Sequence, residues 1–167
     1  MPATKFLDSY NGQSTEELIQ LESEYRVDSL VLAFERGLQD KAERAALSSE
    51  ETPILAIEAL EREVNNGGYS QFFFNSSNVF AGVIVSALTQ IGCPKTARIT
   101  ADAIAALAIA GEPTPEQMEA AVLSDDEAVT AALADCDTRY FDNDEPIADR
   151  LFEWIKRNRS TIRVGKD

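Results

Sequence analysis

The sequence predicts an all-α protein, a single compact helical domain of about seven to nine helices, and three observations predict it. Apolar residues recur at spacings of three and four along most of the chain. Capping-box signatures open helices at Ser14, Ser48 and Thr114. β-branched residues never alternate with polar ones over the length of a strand, so no strand is expected. At 167 residues one domain is the default. Residues 1–13 read as an N-terminal arm, 14–159 as the helical domain and 160–167 as a basic C-terminal tail.

The elements follow in order. Ser14-Thr15-Glu16-Glu17 places a Ser three residues before a Glu, so each side chain satisfies the other's backbone N–H. Leu18, Leu21 and Tyr25 continue at helical spacing, and Val27, Leu30, Val31, Phe34 and Leu38 form a second stripe. One bent helix and two separate helices fit that pattern equally. Ser48-Ser49-Glu50-Glu51 opens a helix with Ile54, Ile57, Leu60 and Val64 inward. Val79, Phe80, Val83, Ile84, Val85, Ala87, Leu88 and Ile91 surround the next helix, which is expected to be the central buried one. Gly92 ends it and Pro94 suits the first turn of an alanine-rich successor over about 95–108. Thr114-Pro115-Glu116-Gln117 and Ser124-Asp125-Asp126-Glu127 each read as a further start. Asp135 to Glu145 reads as an acidic connector, and Pro146 begins a last helix with Ile147, Leu151, Trp154 and Ile155 inward.

The chain is organised around one stretch, where the helix of Leu60 and Val64 meets Asn65-Asn66-Gly67-Gly68 and a triple phenylalanine. One of the two glycines is expected to take the left-handed conformation that closes a helix. Phe72, Phe73 and Phe74 lie about 100° apart, so their helix should be covered on most sides. Gln71 and Asn75 share a face, and their amides need partners in that apolar setting, the carbonyls at the preceding helix end being nearest.

Charge is very uneven. Twenty-nine acids face fifteen bases, with no histidine. Residues 64–111 hold one acid, whereas 112–153 hold thirteen acids against Arg139 and Arg150, a net −11. Helix first turns account for some of the carboxylates, including Glu50, Glu51, Glu116, Asp125, Asp126 and Glu127. The surplus opposes folding, since two carboxylates about 6 Å apart repel by roughly 0.7 kcal/mol in water. Solubility or a high-salt habitat accounts for it on one reading, and a surface for a basic partner on the other. Direct nucleic-acid binding and anionic membranes are disfavoured by the sign of the charge.

Little else points to chemistry. Without histidine, Ser–His and Cys–His pairs and histidine metal sites are excluded. Cys93 and Cys136 are too few for a disulfide framework. No cofactor, metal or enzyme activity is expected, and the calcium-loop signal at Asp137, Asp142, Asp144 and Glu145 lacks its glycine and terminal glutamate. No apolar run reaches membrane length and no signal peptide is seen, so the expected location is cytoplasmic.

The run Glu63-Val64-Asn65-Asn66-Gly67-Gly68-Tyr69-Ser70-Gln71-Phe72-Phe73-Phe74-Asn75 resembles the signature of the bacterial DNA-mimic protein family, the DMP-type domain. Tyr25-Arg26-Val27-Asp28-Ser29-Leu30 and Ala87-Leu88-Thr89-Gln90-Ile91-Gly92 extend the resemblance to about residues 12–158. It implies an acidic helical protein that occupies a basic DNA-binding protein, a transcription factor or nucleoid protein, in place of DNA. Asn65, Asn66, Gly67, Gly68, Tyr69, Gln71, Phe72, Phe73 and Asn75 would mark the fold. The expected partner face comprises Glu112, Glu116, Glu119, Asp125, Asp126, Glu127, Asp135, Asp137, Asp142, Asp144, Glu145, Asp149 and Glu153, joined by Glu16, Glu17, Glu22 and Glu24. A homodimer would lengthen that face. Two other readings stay open: a helical enzyme or small-molecule binder with an amide and carboxylate pocket at the Asn66–Gln71 hinge, and an acidic inhibitor of a basic toxin.

Overall fold

A computed structural model describes residues 5–166; the first four residues of the expected arm and the last of the expected tail lie outside it. Eight α-helices are present among the described residues: α1 (Thr15–Gln20), α2 (Val27–Ala42), α3 (Thr52–Phe74), α4 (Ala81–Gln90), α5 (Pro94–Ala106), α6 (Pro115–Leu123), α7 (Glu127–Asp142) and α8 (Ile147–Arg157). Short 3-10 turns span Leu21–Ser23 and Ser76–Phe80. The expected all-α class is what is found: no strand forms among the described residues, only an isolated parallel bridge between Lys5 and Tyr25. No single helix among them is long and apolar enough to cross a membrane; α3 and the segment after it reach that length only as a pair bent by 75°.

The chain divides into two compact units, one of Met1–Glu58 with Pro146–Asp167, the other of Ala59–Glu145. In the first, α2 packs on α1 and α8 through Leu30, Val31, Phe34 and Leu38. The ambiguous stretch after Leu18 resolves into two helices, because the 3-10 turn and the extended Arg26 interrupt it. The capping box at Ser48 forms, with Glu51 N–H on Ser48 Oγ (3.1 Å) and Ser48 N–H on Glu51 Oε2 (3.0 Å). The Glu51 carboxylate, fully buried, also accepts from Lys41 Nζ (2.7 Å) and from Arg163 N–H (2.9 Å). The basic tail is held to the first unit in two ways. Ile162 and Val164 are buried, and the buried Thr15 hydroxyl donates to Ile162 O at 2.8 Å.

In the second unit, α5 packs on both α4 and α7, and α6 packs on α7 and on the 3-10 turn Ser76–Phe80. Four expectations are corrected here. The acidic connector is mostly helix: α7 runs to Asp142, because Leu133, Cys136 and Tyr140 supply a buried stripe at i, i+3, i+7 that acid content concealed. Its first residue is Glu127 rather than one nearer Ser124. Ser124 closes α6, while the Asp126 carboxylate caps α7 through Ala128 N–H (2.8 Å) and Val129 N–H (3.2 Å). Finally, α4 is not covered on all sides. Ala81, Ile84, Ala87 and Leu88 face inward, but Val83 is 42% exposed and Val79 just before it 65%. Phe74 is 45% exposed, unlike the fully buried Phe72 and Phe73, so the phenylalanine helix is covered over only part of its circumference.

Candidate functional site

The hinge forms by a break inside α3. Gly67 (φ −156°) and Gly68 (φ +78°) leave the helical region, and the chain kinks there into the second half of the helix. Gly68 has two reasons to lack a side chain. Its φ is left-handed, and a Cβ there would overlap the Asp137 carboxylate. That carboxylate approaches closely because Asp137 Oδ1 accepts the Tyr69 N–H at 2.7 Å, satisfying a donor freed by the break. Burial pushes the Asp137 pKa up, and the Tyr69 N–H offsets part of the rise.

The two amides find a partner other than the expected carbonyls. Gln71 Nε2 (2.7 Å) and Asn75 Nδ2 (2.9 Å) both donate to Glu63 Oε2, and the Ser77 hydroxyl donates to Oε1 at 2.9 Å. A carboxylate can accept several bonds at once, which a single carbonyl sharing its lone pairs with a helix cannot. Burial alone would raise the Glu63 pKa; the three donors more than reverse this and hold it below the ordinary value. Tyr69 anchors the other side. Its hydroxyl bonds Thr100 Oγ1 at 2.8 Å, and its ring stacks on Phe73 and meets Tyr140 edge-on. Asn65 donates to Glu61 O at 2.7 Å, while Asn66 is exposed.

The expected acidic residues divide into those held internally and those presented outward. Within the first unit, Glu17 completes its capping box, Glu16 pairs with Arg159, and Glu24 lies 3.8 Å from Lys5. Glu22 and Glu153 share Lys156 at 2.9 and 2.6 Å, while Asp149 is exposed in the first turn of α8. In the second unit, Asp137 is held at the hinge and Glu145 at the start of α5. Glu145 accepts from Lys95 N–H (2.8 Å), Thr96 N–H (2.8 Å) and the Thr96 hydroxyl (2.7 Å), anchoring a helix end with an anion. Burial works against ionisation there, and those bonds prevail and lower its pKa. Asp144 lies 3.3 Å from Lys95 and Asp135 3.8 Å from Arg139, which also bonds Asp102 at 2.8 Å.

The rest are exposed, as is Asp135 despite its pairing with Arg139. On α7, Glu127, Asp135 and Asp142 fall within about 80° of one another, roughly opposite the stripe of Leu133, Cys136 and Tyr140. On α6, Glu116 and Glu119 are exposed about 60° apart, Glu116 nearly opposite the buried Met118. Asp125 (φ +55°) and Asp126 occupy the turn between the two helices, and Glu112 precedes α6. Arg139 is the sole basic residue between Glu112 and Glu145.

The sequence profile of the DMP19-like protein family matches residues 45–158. This chain belongs to the DMP19-like protein family. The matched span includes the hinge and the exposed acids from Glu112 to Asp142; it begins later than the resemblance suggested, leaving 12–44 outside. No curated protein and no solved structure matches the chain. Three residues central to this DMP19-like hinge, Ser77, Thr100 and Tyr140, carried no signal in the sequence. They are brought to it by the fold, not by local spacing.

Proposed function

We propose that this DMP19-like protein is a non-enzymatic DNA mimic of the cytoplasm, an inhibitor that binds a basic DNA-binding protein and regulates transcription by competing with DNA. The observation that supports it most is the unit Ala59–Glu145. It holds fourteen acids and four bases, net −10 of the chain's −14, with its outward carboxylates concentrated on one face each of α6 and α7. Both helices are anchored by capping side chains, so the anions sit on ordered backbone. A partner's Lys and Arg would meet them there as they meet phosphates. Glu127 and Asp135 lie about 12 Å apart along α7, wider than the phosphate repeat of about 3.4 Å per strand. The surface therefore offers a field of the right sign and not a copy of each phosphate position. A homodimer would extend that field.

The test is competition. Labelled duplex bound to transcription factors and nucleoid proteins from the source organism is titrated with this protein at low and at physiological salt. The expected result is displacement from at least one of them that weakens as salt rises, because screening shortens the reach of exposed charges. A variant with Glu116, Glu119 and Glu127 changed to Gln should displace less. Failure to displace duplex from any of them, or displacement indifferent to salt, overturns the reading.

A further inference from the structure

One exposed apolar stretch of the second unit lies near its acids. Phe74 ends α3, Val79 lies in the 3-10 turn and Val83 in α4, one helical turn beyond Val79. Asn78 Nδ2 donates to Phe73 O at 3.0 Å, which fastens the turn that carries Val79 to the end of α3. Three large apolar side chains that are 45%, 65% and 42% exposed are unusual in so short a stretch, given that a helix normally turns such residues inward. Acids lie close to this stretch. Glu112 Oε1 lies 2.8 Å from where a Cβ of Gly82 would be, one residue from Val83, and α6 with Glu116 and Glu119 packs on the turn that carries Val79.

We propose that Phe74, Val79 and Val83 form an apolar anchor site flanked by Glu112, Glu116 and Glu119, and that its occupant is an amphipathic basic helix of the partner protein. The complementarity selects that chemistry. An apolar stripe seats on the phenylalanine and the two valines, and lysines or arginines on the flanks of the same helix reach the three glutamates. Neither a wholly cationic segment nor a neutral apolar helix satisfies both halves of the surface. The inference rests on the partner being basic, as proposed above, and adds that recognition is partly independent of charge.

The probes are three synthetic peptides: a lysine–leucine peptide with leucines at helical spacing, the same composition scrambled, and an oligolysine of equal charge. Binding is followed by fluorescence anisotropy at low and physiological salt. The amphipathic peptide is expected to bind about tenfold more tightly than either control. Val79→Ser with Val83→Ser should abolish that advantage without changing oligolysine binding, whereas Glu116→Gln with Glu119→Gln weakens both. Phe74→Ser serves as a second variant if the double serine form does not fold. Equal affinity for all three peptides overturns the proposal. So does dissociation of a self-associated form by the valine substitutions with peptide binding unmoved, since the patch then belongs to a second copy. Duplex displacement that persists in the valine variants sinks this site and leaves the DNA-mimic reading intact. Peptide discrimination without displacement of any duplex does the reverse.

Discussion

Glu61 and Glu63 are two residues apart on α3 and sit on opposite sides of the ordinary carboxylate range. Glu63 has three donors and a lowered pKa. Glu61 has an Oε1 closed off from solvent with no hydrogen-bond partner, and burial pushes its pKa from 4.5 to about 7. The linkage signs therefore oppose. For Glu61 the folded state holds its proton longer than the unfolded state, so stability falls as pH rises from about 4.5 to about 7 and the penalty is full above that. For Glu63 the unfolded state binds its proton first as pH drops, so its stabilisation is present above about 4.5 and is lost as pH falls through the lower folded value. Glu61→Gln should accordingly stabilise the protein at pH 8 by as much as about 3 kcal/mol and do little near pH 4. Glu63→Ala should cost about 3 kcal/mol at pH 7, because two amides and a hydroxyl are left buried without an acceptor. Urea unfolding across pH reads both. A gain from Glu61→Gln that is equal at both ends of the range would show that burial of the charge is not what shifts it.

At the scale of the element, anions are used as helix anchors more than composition suggested. Glu51 closes the turn just before α3 by accepting the Ser48 N–H, Asp126 caps α7, and Glu145 closes onto the start of α5 from fifty residues away. Asn143 extends the last of these by donating to Thr96 Oγ1 at 2.7 Å. Removing such an anchor frees two backbone N–H groups and one hydroxyl at a helix start. Glu145→Ala should destabilise the fold by about 2 kcal/mol and raise hydrogen exchange in the first turn of α5, while Asp144→Ala, exposed beside Lys95, should fall within about 0.5 kcal/mol of the parent. Amide exchange at Lys95 and Thr96 is the deciding measurement. No change there after Glu145→Ala would mean that the helix start is held by packing alone.

For the whole molecule, charge and its segregation matter most. The unit Ala59–Glu145 carries −10 with few bases to compensate, whereas the other unit carries −4 and distributes eleven bases among fifteen acids. Self-repulsion should therefore be felt mainly in the first of these. Glu119→Gln, Glu127→Gln and Asp142→Asn together should raise the melting temperature at low salt, and the gain should shrink as salt rises. Each substitution contributes a few tenths of a kcal/mol, as is usual for exposed charges. A gain that persists at high salt would place its origin in helix propensity and not in repulsion. The exposed acids are then costly to the fold.

The sequence by itself determined the helical class, most helix starts and the glycine break, because each depends on residues within a few positions of one another. Ser14 with Glu17, Thr114 with Gln117 and the positive φ at Gly68 are local matters of hydrogen-bond reach and Cβ sterics. It also located the surplus of acid between Glu112 and Glu153. What it could not determine is which carboxylates face outward. Asp137 and Glu145 read like Asp135 and Asp144, and only the approach of Gly68 and of the α5 terminus turns them inward. Glu63 meets Gln71 and Asn75 eight and twelve residues on, a spacing without meaning on a straight helix, and the kink at the glycines supplies it. The exposure of Phe74, Val79 and Val83 is of the same kind. Burial is settled by which elements arrive to cover a face, and none of the described residues covers this one.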